Sequence, residues 1–330
     1  FMNNKENQLT YQFSNPKLDL VEIFGAANLK VLEASYIIIT DNKVVSEEGQ
    51  QFVETEMKKS VDYAPAISDF TTCNFSSRAG VSISEVAIHT IQGSYAGAIS
   101  WFKNCSANVS AHYVLRSSDG QVTQMVLESD KGWHVGNSNP SSIGLEHEGF
   151  VSDSSWYTAA MYQSSADLVR DITQSGYGIN PLGTAYFPWA ATTNYNVSSI
   201  PGSCVRIKGH QHFSSQTHTD PGANWDWKYY DNLINESTTS ISSYTASFGN
   251  ITDLGGSGNY TNDERTLQLI QPINATSIEL TVNQFDIEAG WDYLYIYEGN
   301  SVFDPVIGIY DGNTIPSTIN INGSAVLVEF

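Results

Sequence analysis

Positive charge is what this chain most lacks. Lys and Arg number 15 against 35 Asp and Glu in 330 residues, a formal charge of −20. A surface this acidic repels phosphate backbones, so no nucleic acid is expected as a partner. Long apolar runs are missing too. Nothing approaches the ~18 residues that cross a bilayer, so no membrane span is expected. The opening Phe1-Met2-Asn3-Asn4-Lys5 has no apolar h-region, which reads as a cytosolic chain or one whose signal peptide has been removed. Cysteine is rare. Cys73, Cys105 and Cys204 allow one disulfide and one free thiol, and no C-x-x-C spacing supports a cysteine zinc knuckle. Low lysine and an abundance of hydroxyl side chains point to a secreted protein.

What is present suffices for packed cores. Hydrophobic residues make up 41% and aromatics 12%, which excludes a disordered chain. At ~150 residues per domain, two domains are expected. Residues 243–330 hold 11 acids and a single base, Arg265, which leaves 24 acids and 14 bases in residues 1–242. All seven histidines lie between 89 and 218, so histidine chemistry belongs to the first part. The polar stretch 235–243 reads as a linker. Before it, helix and strand signals mix. Tyr36 to Thr40 and Val86 to His89 read as strands, and Glu47 to Val61 reads as a helix capped by Ser46. Ala111 to Leu115 and Val122 to Leu127 form a strand pair around Asp119-Gly120, and Trp156 to Ser175 reads as a helix ended by Gly176. After the linker, Ser277 to Val282 and Tyr293 to Tyr297 alternate, and short strands recur every ten residues or so, the pattern of an all-β sandwich.

Three histidines and an aspartate fall within eleven residues, in Gly209-His210-Gln211-His212-Phe213 and Thr217-His218-Thr219-Asp220-Pro221-Gly222. A catalytic zinc needs three neutral or anionic ligands and one open position. His210 and Asp220 can supply two, and His89, at the end of Val86-Ala87-Ile88-His89, a third; the alternative is that these are surface-loop histidines without a metal. His212 is a rival ligand. In Ser142-Ile143-Gly144-Leu145-Glu146-His147-Glu148, a strand puts Ile143, Leu145 and His147 on one face and Gly144, Glu146 and Glu148 on the other. Glu146 is either a general base or half of an edge-strand acid pair facing solvent. Trp133, Trp225 and Trp227 either stack on sugars or pack in the core.

Taken in order, Val86-Ala87-Ile88-His89-Thr90, Ser110-Ala111-His112-Tyr113-Val114, Trp133-His134-Val135-Gly136, Ser142-Ile143-Gly144-Leu145-Glu146 and Gly209-His210 through Thr219-Asp220-Pro221-Gly222 resemble the zinc-dependent N-acetylmuramoyl-L-alanine amidases, relatives of phage lysozyme-type amidases and peptidoglycan recognition proteins. The resemblance runs from about residue 75 to 232. It implies an α/β domain with a mixed central sheet flanked by helices, one Zn2+, and hydrolysis of the amide between N-acetylmuramic acid and L-alanine in peptidoglycan or muropeptides. It makes His89, His210 and Asp220 the metal ligands and Glu146 the catalytic base. It puts His218, where these amidases often carry lysine, at the oxyanion. Trp133, His134 and His112 are the candidates for substrate contact, with a structural role around the site as the alternative for the two histidines. Cys105–Cys204 is the expected disulfide, since both lie in this part.

Phe285-Asp286-Ile287-Glu288, Trp291 to Gly299 and the closing Ala325 to Phe330 resemble a CUB domain. That implies a second, all-β sandwich of extracellular type, a Ca2+ held by Glu288 and Asp292, and a protein or glycan as its ligand. The expected layout is an extension over 1–70 packed on the amidase, the amidase over 71–234, a linker over 235–243 and the CUB-like sandwich over 244–330. The expected protein is a secreted cell-wall hydrolase. Two rival readings are a peptidoglycan-recognition module without catalysis, and a zinc amidohydrolase effector acting on another amide.

Overall fold

The computed structural model describes residues 60–190, 204–214, 217–236, 239–256 and 258–330, together with the backbone of four strands before residue 47. Two units separate, Phe1–Ser60 and Val61–Phe330. In the first, β1 (Asn3–Lys5), β2 (Gln8–Gln12), β3 (Tyr36–Thr40) and β4 (Lys43–Ser46) form an antiparallel sheet in that order. The strand expected at 36–40 is therefore present. The helix expected from Glu47 lies, up to residue 59, outside the described residues.

In the second unit, the α/β part contains β5 (Ile67–Ser68), β6 (Phe75–Ser77), β7 (Glu85–Thr90), β8 (Tyr113–Leu115), β9 (Val122–Gln124), β10 (Asp130–Gly132), β11 (Ser142–His147) and β12 (Ile207–Gly209). Six of these make a mixed sheet in the order β12-β7-β11-β8-β9-β5, and only the β8–β9 pair is antiparallel. The helices are α1 (Tyr95–Lys103), α2 (Ala159–Gln174) and α3 (Trp227–Asn235). Thr158 caps α2 by accepting from the Met161 N–H, and Met161, Leu168, Val169 and Ile172 recur at helical spacing on its buried side. They meet Val86, Ile88, Ile143, Leu145 and Ile207 from one sheet face, with Trp227, Tyr230 and Ile234 of α3 in the same core. Trp225 and Trp227 are buried there, so they are core residues. The opposite face carries His89 and Glu146. It is covered at the β8 end by α1, through Tyr95, Ala98 and Phe102 packed on Val114 and Met125.

The C-terminal part is a sandwich, as its alternation predicts. β13 (Ile241–Tyr244), β14 (Leu267–Ile270), β16 (Leu294–Tyr297), β17 (Val306–Tyr310) and β19 (Val326–Glu329) form one sheet in the order β13-β14-β19-β16-β17, and β15 (Ile278–Thr281) pairs with β18 (Thr318–Ile321) in the other. Ile278, Ile296, Ile319, Ile321 and Val326 fill the space between them. The stretch 235–243 is not all linker, because Asn235 ends α3 and Ile241 opens β13.

The outer face of the larger sheet packs on the α/β part. Tyr295, Tyr297 and Leu327 join the same apolar cluster as α3. Buried Glu329 of β19 accepts from Lys228 Nζ and Arg265 Nε at 2.7 Å each and from the Tyr297 hydroxyl at 2.6 Å, while Arg265 Nη2 donates to Asn232 Oδ1 at 3.0 Å. The Trp189 indole donates to Gly290 O at 2.7 Å.

One expectation is overturned. The disulfide is Cys73–Cys105, with Cα atoms 5.4 Å apart, and Cys204 is free and exposed. The reason is topological. Thr71 and Asn74 hydrogen-bond to the Phe102 and Asn104 carbonyls at the end of α1, which brings Cys73 to Cys105. Cys204 precedes β12, at the far edge of the sheet from α1.

These contacts have measurable consequences. A thiol reagent should modify one cysteine of the unreduced protein, Cys204; peptide mapping that finds Cys105 joined to Cys204 contradicts this assignment. Burial pushes the Glu329 carboxyl up, but the charges of Lys228 and Arg265 outweigh it and hold it at about 2. Its contribution is thus fully present above the ordinary carboxylate range and lost as pH falls through about 2. Glu329→Gln should cost about 3 kcal/mol in denaturant unfolding near neutral pH, and the gap from the native protein should close as pH drops toward 2.

Candidate active site

Strand register creates the site. β7 and β11 run parallel with Glu146 opposite His89, so the two side chains share the face away from α2 and α3. β12 lies on the other side of β7 with Gly209 opposite Ile88 and ends in a tight turn, His210–His212. That turn sends its two histidines in different directions. His212 is buried, accepts from the Gly209 N–H through Nδ1 at 3.1 Å and meets Ala190 O through Nε2 at 2.8 Å, which removes it as a rival ligand. His210 instead faces His89.

Asp220 is delivered by the next loop, which Gln211 ties down. The Gln211 N–H donates to Asp220 O at 3.0 Å, and its side-chain carbonyl accepts from the Gly222 N–H at 3.1 Å. Tyr157 donates to Pro221 O at 2.8 Å. The loop can approach this closely because residue 209 is glycine, since a Cβ there would lie 2.6 Å from the Pro221 ring.

The three side chains converge. His89 Nδ1 lies 3.1 Å from His210 Nδ1 and 3.2 Å from Asp220 Oδ2, and His210 Nδ1 lies 3.4 Å from Asp220 Oδ1. Among the described residues this is the one group of three able to hold a metal ion, and all three members are buried. A tetrahedral zinc with ligand bonds of ~2.0–2.1 Å has edges of ~3.3 Å, so the spacing and the donor set both fit that ion. Burial pushes His89 down to about 4, against a smaller opposing effect of Asp220. Burial also raises the Asp220 carboxyl, but hydrogen bonds from His210 and His89 hold it well below the usual carboxylate range. Neutral imidazoles and an ionised carboxylate are the forms that bind metals.

The other nitrogen of His89, Nε2, lies 3.0 Å from His134 Nδ1, a contact that fixes the His89 ring. His134 stacks over Gly144, where a Cβ would come within 2.6 Å of its ring. Glu146 is half-buried, with no hydrogen bond among the described residues. Burial, followed by the charge of Asp220, pushes its carboxyl up to about 8. Glu148, on the same face, serves the framework instead. It accepts from the Tyr95 and Ser117 N–H groups at 2.9 Å and so anchors α1. His218 is exposed at the rim, its ring 4.1 Å from that of His210 and nearly parallel, with Nδ1 3.6 Å from Asp220 Oδ1.

The side chains expected toward substrate divide. Trp133 is half-buried and donates to Ser76 Oγ at 3.1 Å. His112 is fully buried, held by the Arg78 guanidinium at Nε2 (2.9 Å) and by the Gly144 N–H at Nδ1 (3.0 Å). It therefore joins strands and offers no surface to a ligand. The calcium expectation finds no support. Glu288 is exposed, Asp292 accepts from the Tyr260 hydroxyl at 2.5 Å, and no third ligand joins them among the described residues. Two supporting residues carried no signal that singled them out. Arg78 donates to the Glu128, Pro140 and Ser142 carbonyls beneath the site. His147 bridges the His89 carbonyl (2.8 Å) and Ser165 (2.7 Å), and only its place on the Ile143–Leu145 face hinted at a structural role.

Comparison with known proteins agrees with this architecture. The family described as N-acetylmuramoyl-L-alanine amidase matches residues 79–223, and the CUB domain family matches residues 240–330. N-acetylmuramoyl-L-alanine amidase A of Achromobacter lyticus is 42% identical over 176 residues, which is 53% of this chain and 96% of that protein. The 1,6-anhydro-N-acetylmuramyl-L-alanine amidase AmpD of Citrobacter freundii is 30% identical over 138 residues, 39% of this chain and 59% of its own length. A solved selenomethionine AmpD derivative is 22% identical, covers 54% of this chain and 99% of its own, and superposes with a TM-score of 0.40. The chain belongs to the N-acetylmuramoyl-L-alanine amidase family and carries a CUB domain at its C-terminal end.

Proposed function

We propose that this protein is a zinc-dependent peptidoglycan hydrolase that acts outside the cytoplasm and cleaves the amide between N-acetylmuramic acid and L-alanine. The observation that carries the reading is the convergence of His89, His210 and Asp220 within 3.4 Å of one another, beside the half-buried carboxyl of Glu146, which has no hydrogen-bond partner among the described residues. The amidase domain spans 71–234 in this reading, and the CUB-like domain over 244–330 takes a protein or glycan of the wall. Secretion is supported by the disulfide and by the nature of the substrate.

His89, His210 and Asp220 would hold the ion through Nδ1, Nδ1 and a carboxylate oxygen. Bound there, zinc supplies Lewis acidity that polarises the amide carbonyl and makes a water acidic enough to react near neutral pH. Glu146 takes the proton from the attacking water and returns it to the leaving nitrogen of L-alanine. Burial and Asp220 raise that carboxyl, and the charge of a bound cation would oppose them, favouring the ionised form that takes the proton. His218, at the rim beside Asp220, donates to the oxyanion as the carbonyl carbon becomes tetrahedral. His134 keeps the His89 ring in place, and Trp133 offers its half-buried ring to the glycan.

With sacculi as substrate and new L-alanine amino termini as the readout, Glu146→Gln should lower kcat ~10²–10⁴-fold with metal content and folding unchanged. Full activity in that variant contradicts the assigned base. A chelator should abolish activity and added zinc should restore it in the native protein, whereas His89→Ala and Asp220→Ala should not recover. Activity that survives chelation overturns the zinc reading.

A further inference from the structure

Lys208 has no exposed surface, which is unusual for an ammonium group and costly unless every donor is met. Its Nζ donates to Glu85 Oε1 at 2.5 Å and to Val205 O at 3.2 Å, and lies 4.7 Å from the centre of the Phe213 ring. The other Glu85 oxygen accepts from Ser141 Oγ at 3.4 Å. The proposed mechanism uses none of these groups. Their positions relative to the site are specific, however. Lys208 stands two residues before His210 on β12, opposite Ala87. Glu85 stands four residues before His89 on the same face of β7. Phe213 lies on the turn that carries His210, and its N–H donates back to His210 O at 3.1 Å.

A buried ion pair is weak grounds for stability, because well-packed apolar residues often serve as well; its best-attested use is to fix register. Register needs fixing here. β12 has only three residues, and beyond an isolated bridge between Ile207 and Thr184 it has β7 alone as its ladder partner among the described residues. A slip of one residue would turn its side chains to the opposite face and carry His210 away from His89.

We propose that the Lys208–Glu85–Phe213 cluster is a positioning device for the metal site: one ammonium ties the strand of His89, the strand leading to His210 and the turn that bears it into a fixed register. The proposal rests on the zinc reading above. It is tested by the double variant Glu85→Leu/Lys208→Met and by Phe213→Leu, in the full chain. Zinc affinity would be measured by competition with a chromophoric chelator, site geometry by the visible spectrum of the cobalt(II)-loaded protein, and kcat and KM on muropeptides. The double variant should keep a cooperative melting transition yet bind zinc about tenfold more weakly. Its cobalt bands should change, and kcat should fall with little change in KM. Phe213→Leu should move the same way by less. Folded variants with native zinc affinity and a native cobalt spectrum overturn the proposal. If the double variant does not fold, Phe213→Leu decides by the same two readouts. A native chain that retains no zinc overturns the zinc reading and this proposal together.

Discussion

Three buried groups with lone pairs to share, two imidazoles and one carboxylate, face each other at 3.1 to 3.4 Å, and much of the α/β part exists to hold them there. At these distances the carboxylate can accept hydrogen bonds from the imidazole rings, and the three groups together have the donor set and spacing of a zinc site. The architecture resists their separation at each origin. His89 sits in a strand paired on both sides, His210 in a turn closed by Gly209 and Phe213, and Asp220 in a loop pinned by Gln211 and Tyr157. A ligand set built from three distant segments can be accurate only if the framework between them is stiff.

The sheet divides its labour by face. The side toward α2 and α3 is apolar and continues through Trp227 and Tyr230 into the outer face of the C-terminal sandwich. The other side carries His89, Glu146, Glu85 and Lys208. The sandwich therefore docks behind the chemistry and leaves the catalytic face open. Glu329 joins the two parts by meeting Lys228 of one and Arg265 of the other, so they form one continuous body rather than beads on a string.

Much of this was legible in the chain. Val86 to His89 reads as a strand because its residues are β-branched or apolar and end at a polar one, and the alternation around Glu146 names its face before any fold is known. The density of histidine near Asp220 marks the site because loops rarely gather such groups without a use. What stayed hidden depends on three-dimensional neighbours. Cys105 cannot choose between Cys73 and Cys204 from spacing, because the choice turns on which sheet edge α1 packs against. His112 is open between a substrate contact and a structural group until its two nitrogens are found engaged by Arg78 and Gly144. The pairing of Lys208 with Glu85 spans more than a hundred residues, and nothing local in either segment announces it. Ile241 to Ser243 read as linker because their polar composition hides the start of a strand that leans on β14.

The central claim is that one zinc ion is held by residues 89, 210 and 220. Crystals of the native protein measured on both sides of the zinc absorption edge test it most directly. A single strong anomalous peak per chain is expected, ~2.0–2.1 Å from Nδ1 of His89, Nδ1 of His210 and a carboxylate oxygen of Asp220. A zinc peak bound elsewhere, or none in zinc-soaked crystals, contradicts it.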